Sequence, residues 1–210
     1  PRLKGALVRR VNGLAPEAGS SNPRRPGSGH QIMNAIIIIV CIILTPMGRA
    51  LTVPFVDRED ERRALEMQYA APGGRFVVVL GRRRLGKSEV LARFCRGKEA
   101  AFLFCPQAEP AVALRSLTRD LAQTLGDEAL SREPSASAEA FVGMVSKYLA
   151  AERGRVVVLD EFQNLVAADR AVLSFLQRDW DRRIRDSGGM LVLCGSAVGM
   201  MEDFALSPKS

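Results

Sequence analysis

Apolar residues from residue 53 onward follow two patterns, short continuous runs and positions that recur every three or four residues. Continuous runs are typical of strands buried on both faces, and they predict strands at residues 76–80, 101–105, 156–159 and 190–194. The recurring positions and helix-forming stretches predict helices at residues 57–70, 87–96, 114–125, 137–152 and 173–184. Strands that alternate with helices predict an α/β fold with a mostly parallel sheet, formed by residues 51–210.

The first 50 residues have a different pattern. Glycine and proline punctuate the first 30 residues, which predicts disorder, and an apolar run follows at residues 32–44. That run is shorter than the roughly 20 residues that a membrane-spanning helix needs. Three interpretations stay open: a non-native leader with Met47 as the start, a signal or membrane tether, and a buried strand.

Composition and charge narrow the classes of function. With 47% hydrophobic and 25% charged residues, the chain falls in the ordinary globular range, which excludes collagen-like and wholly disordered proteins. The net charge is +7, but residues 1–50 hold seven basic and one acidic side chain, and the remainder holds 23 basic and 22 acidic ones. The basic balance is therefore no argument for nucleic-acid binding, which stays undecided.

Four isolated cysteines, with no Cys-x-x-Cys pair, exclude a disulfide scaffold and argue against zinc. We expect buried, reduced thiols and a cytoplasmic protein without a membrane partner.

A glycine loop carries the most specific chemistry. Residues 81–88 read GRRRLGKS, which fits G-x-x-x-x-G-K-[ST] between a predicted strand and a predicted helix. The backbone N–H groups of such a loop point at phosphate oxygens, Lys87 reaches the β- and γ-phosphates, and the Ser88 hydroxyl ligates Mg²⁺. The predicted cofactors are therefore ATP and Mg²⁺. The predicted nucleotide-binding residues are Gly81, Arg82, Arg83, Arg84, Leu85, Gly86, Lys87, Ser88 and Glu89. The three arginines cannot all face the nucleotide in so tight a turn.

Two carboxylates follow the third predicted strand. Asp160 suits the Walker B role of holding the Mg²⁺ shell, and Glu161 can orient and deprotonate water. Ser196, after the fourth strand, is a candidate to contact the γ-phosphate or the attacking water; a simple turn serine is the alternative. Glu161, Lys87 and Ser196 are thus the predicted catalytic residues. A guanine-reading N/T-K-x-D motif is missing, which argues against a GTPase.

With these motifs the chain resembles the archaeal-type ATPase family in the AAA+/STAND branch of P-loop NTPases. The resemblance covers residues 55–208 and rests on FVDRE at 55–59, the glycine loop, LDEFQNL at 159–165 and CGSAVGMME at 194–202. It implies a three-layer P-loop sandwich, ATP hydrolysis coupled to conformational change, and further C-terminal domains. It also places Arg58 and Glu59 near the adenine, although Asp57 stands where the family usually has glycine.

Relatives usually continue past the point where this chain ends, so we expect the ATPase domain to be incomplete at its C-terminus. No arginine finger can then be assigned, and the cation would come from self-association or from a C-terminal effector domain. The predicted function is Mg²⁺-dependent ATP binding and hydrolysis that drives a conformational switch. The alternative is a nucleotide-gated binding scaffold with negligible turnover.

Overall fold

The structure, a computed structural model, describes residues 58–196 and the backbone of residues 7–10 and 35–39. Six strands are present in this part of the chain: β1 (Leu7–Arg10), β2 (Ala35–Ile39), β3 (Arg75–Leu80), β4 (Ala100–Phe104), β5 (Val156–Asp160) and β6 (Met190–Gly195). The helices are α1 (Glu59–Ala70), α2 (Lys87–Cys95), α3 (Pro110–Leu125), α4 (Glu128–Arg132), α5 (Ala138–Ala151), α6 (Phe162–Ala168) and α7 (Ala171–Asp179), followed by a π-helical turn (Trp180–Ile184).

The strands form one sheet in the order β1-β2-β3-β6-β5-β4. All neighbours are parallel except β1, which runs antiparallel to β2. The predicted α/β fold with four parallel strands is confirmed. In register, Leu80 lies opposite Gly195 and Leu159 opposite Leu193, so the loops after β3, β6 and β5 emerge at one edge of the sheet.

Successive residues of each central strand enter different cores. Val78 and Leu80 of β3 pack with α3, α5, α6 and α7, whereas Val77 and Val79 pack with α1 and α2. Side chains alternate across a strand, so a strand that is apolar throughout needs helices on both faces. The molecule is therefore the predicted three-layer sandwich in its described part.

β4, the last strand on its side of the described sheet, was predicted to be buried on both faces, but one of its faces is partly exposed. Phe102 is 38% and Phe104 56% exposed, because on this face of β4 only Ala100 packs against the core formed with α1 and α2. The leucine stripe of α3 also ends early: Leu114, Leu117 and Leu121 are buried, but Leu125 is 42% exposed.

The helix predicted at residues 173–184 is interrupted. Regular α-helix ends at Asp179, and the next five residues form the π-helical turn, in which the Arg185 N–H donates to the Trp180 carbonyl. This turn presses against the start of β3, where the Gly74 N–H donates to the Arg185 carbonyl. A Cβ atom at Gly74 would lie 2.0 Å from the Ile184 carbonyl oxygen, so only glycine fits there.

Within residues 1–50, β2 falls inside the apolar run at residues 32–44 and pairs with β3. β1 falls among the residues with predicted disorder, and its four residues pair with β2 instead. Predictions for the rest of the leader, including Met47, and for residues 51–57 and 197–210 lie outside the described residues. Within the described part, no helix combines the length and the apolar character that crossing a membrane requires.

Candidate nucleotide-binding site

The loop from Gly81 to Gly86 joins β3 to α2 through two residues in the left-handed region. Gly86, directly before α2, has φ 75°, which glycine adopts without steric cost. Arg84 has φ 65°, a conformation that strains a residue with a side chain by about 1 kcal/mol or more. These turns end the loop directly at the first turn of α2, where the leading N–H groups of a helix have no partner within the helix.

Lys87, the first residue of α2, is 5% exposed. Its Nζ donates to the carbonyl oxygens of Gly81, at 2.9 Å, and Arg82, at 3.0 Å. No carboxylate among the described residues forms an ion pair with it, so backbone dipoles alone hold its charge. A buried cation beside a helix N-terminus makes this loop a suitable site for an anion.

The remaining loop side chains point outward. Arg82, Arg83 and Arg84 are all exposed, as the tightness of the turn suggested. Ser88 is exposed in the first turn of α2, and Glu89 beside it forms an ion pair with Arg93, with Oε1 2.7 Å from Nε. Lys87 is thus the one side chain of residues 82–89 that is buried, and the predicted contacts of the arginines and Ser88 with a nucleotide stay predictions.

Asp160 ends β5 and is 4% exposed, and its Oδ1 accepts a hydrogen bond from the Glu161 N–H at 3.0 Å. Glu161 is half-buried and has φ 53°, so the backbone turns sharply between strand and helix. The two consecutive carboxylates therefore belong to different elements: Asp160 is the last residue of β5, and Glu161 immediately precedes α6.

Two buried thiols lie beside Asp160. Burial raises the pKa of the Cys105 thiol above its ordinary value, and the charges of Asp160 and Glu161 raise it further. Burial also raises the pKa of Cys194, with added effects from the charge of Asp160 and from a hydrogen bond to its carboxylate. Both thiols are therefore neutral near pH 7 and add no charge to the site.

Ser196 follows β6, which lies between the glycine-loop strand and the Asp160 strand. It is half-buried, and its Oγ accepts a hydrogen bond from Gln163 Nε2 at 3.3 Å. The same amide nitrogen donates to Oε2 of Glu161. Sequence reasoning missed Gln163, although it lies two residues after Glu161 within the LDEFQNL stretch.

Arg58 supports the glycine loop from outside. One guanidinium nitrogen donates to the Leu85 carbonyl at 2.9 Å, and another to Oε1 of Glu61 at 2.7 Å. Glu61, also missed from the sequence, is buried in the first turn of α1, whereas Glu59 is exposed. The contact of Arg58 is thus to the loop backbone, and its predicted place near the adenine stays a prediction.

The three strand ends bring the predicted residues to one edge. The loop with Lys87 and Ser88 follows β3, Ser196 follows β6, and Asp160 with Glu161 follows β5. Carboxylate and hydroxyl oxygens are the hard ligands that Mg²⁺ prefers, so Asp160 and Ser88 form a suitable donor set for it. The site combines a glycine loop that suits an anion, a hydroxyl and a carboxylate that suit Mg²⁺, and the Glu161 carboxylate, which accepts a hydrogen bond from Gln163.

Comparison with known proteins gives one matching family model and two similar proteins from one archaeon. A family model described as AAA domain matches residues 71–199, more than half of the chain. The uncharacterised protein MJECL04 of Methanocaldococcus jannaschii is 26% identical over 156 residues, which are 74% of this chain and 33% of that protein. A second uncharacterised protein of that organism, MJ0424, is 45% identical over 42 residues, 20% of this chain and 41% of its own length.

Among solved structures, the Walker-type ATPase PABY2304 of Pyrococcus abyssi has the same fold. The TM-score is 0.50 with 22% sequence identity, over 70% of this chain and 47% of that one. This chain thus spans about a third of MJECL04 and about half of the Pyrococcus ATPase.

Proposed function

Because the chain belongs to the AAA-type family of P-loop ATPases, we propose that it binds ATP with Mg²⁺ and hydrolyses it to drive a conformational switch in a larger protein. One observation carries this proposal. The glycine loop, the Asp160–Glu161 pair and Ser196 emerge at the same edge of three adjacent parallel strands. Sites in open α/β sheets lie at the carboxyl ends of the strands, where such loops converge.

Residues 81–89 hold the phosphates in this proposal. Their N–H groups and the N-terminus of α2 face the negative charge, and Lys87 exchanges its carbonyl partners for β- and γ-phosphate oxygens. Ser88 and Asp160 would hold Mg²⁺, which would supply positive charge against the phosphate oxygens. The buried position of Asp160 suits this role, because it restricts the carboxylate to one direction.

Glu161 accepts the proton of the attacking water, and Ser196 orients that water or the γ-phosphate. Glu161 is half-buried and lies at a left-handed turn after the strand, whereas Asp160 is the last residue of β5 and is buried. A carboxylate that does not bind the metal is free to act as a general base, an effect worth roughly 10²- to 10⁴-fold in rate.

The test compares matched lysine variants. Lys87→Ala should weaken ATP–Mg²⁺ binding in calorimetry by about 2 to 5 kcal/mol, the range for removing one partner of a buried charge pair. Lys147→Ala, an exposed lysine on α5, is the control and should bind like the unmodified chain. Equal affinity of the two variants would contradict the assignment of the loop.

Hydrolysis is tested separately with Glu161→Gln. This variant should retain ATP binding and lose at least about 100-fold in single-turnover rate, as expected for a general base. Binding without turnover in the unmodified chain would instead favour the nucleotide-gated scaffold. Phosphoryl transfer commonly needs a cation at the γ-phosphate in addition to the residues named above. Because the chain spans about a third of MJECL04, we propose that self-association or a further domain supplies this cation.

A further inference from the structure

We propose that Gln163 is a positioning residue for hydrolysis, which holds the Glu161 carboxylate in its working orientation by tying it to the hydroxyl of Ser196. This inference rests on the proposed function and adds a residue that no motif of the sequence assigned. Its basis is the Gln163 amide, which donates hydrogen bonds both to Glu161, after β5, and to Ser196, after β6.

The geometry of the amide group carries the argument. Gln163 lies in α6, and its Nε2 donates to Oε2 of Glu161 and to Oγ of Ser196, the latter at 3.3 Å. An NH₂ group has two protons, so it can serve both acceptors at once. The opposite orientation of the amide would place two oxygens against each other at Glu161, which excludes it on electrostatic grounds.

The amide oxygen of Gln163 argues against a purely structural role for this residue. Oε1 of Gln163 is buried and has no hydrogen-bond partner in the described part of the chain. A buried carbonyl without a donor lowers stability, so an apolar side chain of the same length would suit the fold as well or better. The neighbouring Asn164 differs, because its Nδ2 donates to the Cys105 carbonyl at 3.0 Å and ties α6 to the end of β4.

The need for a positioning group follows from the backbone at Glu161. This residue lies at a left-handed turn before α6, with no side-chain capping bond, so the local backbone leaves the carboxylate several rotamers. The amide of Gln163 selects one of them. Because the same amide contacts Ser196, movement of β6's end would change the orientation of Glu161 as well.

The experiment is a double-mutant cycle on the 210-residue chain, measured by single-turnover ATP hydrolysis. Gln163→Met keeps the length of the side chain and removes the donor. We expect roughly a 10- to 100-fold lower rate at saturating ATP, the scale for a misplaced reacting group, with unchanged ATP affinity and unchanged or higher melting temperature. Gln177→Met, a half-buried glutamine on α7, is the control and should hydrolyse ATP normally.

The second arm of the cycle separates positioning from a general structural effect. In the Glu161→Gln background, adding Gln163→Met should lower the rate no further, since no carboxylate remains to be positioned. Gln163→Glu, which places a second carboxylate against Glu161, should lower the rate at least as much as Gln163→Met and tests the idea if the methionine variant does not fold.

Four results would overturn the inference. These are a full rate or a faster rate in Gln163→Met, a loss that is additive with Glu161→Gln, and a fall in melting temperature that accounts for the loss. A normal rate in Gln163→Glu is the fourth. If Glu161→Gln hydrolyses ATP as fast as the unmodified chain, or if the unmodified chain binds ATP without turnover even at concentrations that drive self-association, the proposed hydrolysis fails and the inference fails with it.

Discussion

The contact between Arg58 and the glycine loop leads to a prediction with two separable readouts. Arg58, which immediately precedes α1, makes two charge-assisted hydrogen bonds, to Glu61 in the first turn of α1 and to the Leu85 carbonyl. Its side chain is 12% and that of Glu61 8% exposed, so solvent screens the ion pair little. Removing Arg58 leaves a buried carboxylate and a loop carbonyl without their partner.

The expected size follows from this burial. Breaking a buried pair by removing one partner costs about 3 to 5 kcal/mol, and the small residual exposure places Arg58→Met near the lower end, at about 3 kcal/mol. Methionine retains the apolar stem, so packing is largely preserved. The double variant Arg58→Met/Glu61→Leu removes the stranded charge and should recover most of that loss, since replacing both partners by apolar groups is often neutral.

Nucleotide affinity should behave differently from stability. Both variants lack the bond to Leu85, so both should bind ATP–Mg²⁺ roughly tenfold more weakly, about 1.4 kcal/mol. Urea unfolding measures the first quantity and calorimetry the second. Arg63→Met is the control. Arg63 lies in α1, and its Nη1 is 3.6 Å from Oδ1 of Asp60, with both side chains more than half exposed. It should change stability by less than about 0.5 kcal/mol.

The reasoning would be refuted if Arg58→Met unfolds like Arg63→Met, or if the double variant is as unstable as the single one. The first result would mean that the pair is screened despite its burial. The second would mean that the stranded Glu61 carboxylate is not the source of the cost. Full ATP affinity in a folded double variant would show that the bond to Leu85 does not support the loop.

Two further predictions concern the metal and the packing. Asp160→Asn should retain a folded chain but lose the Mg²⁺ dependence of ATP binding, since a neutral amide is a poorer ligand for a hard cation; calorimetry with and without Mg²⁺ checks this, and an unchanged dependence would argue against the role. Gly74→Ala should destabilise by about 3 kcal/mol in urea unfolding, because its Cβ would meet the Ile184 carbonyl at 2.0 Å. Gly143→Ala, with open space around it, should instead stabilise α5 by about 0.5 to 1 kcal/mol, and similar values for the two glycines would contradict the steric account.

Local patterns account for most of the elements that the sequence predicted. The central strands β3, β5 and β6 are apolar throughout, and they are the strands with helices on both faces. The glycine loop could be predicted from a short segment of sequence, because neighbouring residues specify its two left-handed turns and the start of the helix. α4 and α6 were missed: they span five and seven residues, too short for a helical period to be evident.

The exposed phenylalanines of β4 mark a limit of this reasoning. An apolar run predicts a strand, but it does not state the strand's place in the sheet. Phe102 and Phe104 are exposed because β4 lies outermost among the described strands on its side, and only its first residue, Ala100, packs against the core formed with α1 and α2. Strand order is set by crossover connections and helix packing, which no single segment contains.

The α/β class, the loop that suits phosphates and the two consecutive carboxylates could all be inferred from the sequence, since each depends on residues within short stretches. Which of these residues lie close together follows from the packing of the whole domain. This packing placed Ser196 between the two other strand ends, Arg58 against Leu85 across 27 positions, and Gln163 between Glu161 and Ser196. Such contacts arise from the packing of distant segments, and they leave no periodic trace along the chain.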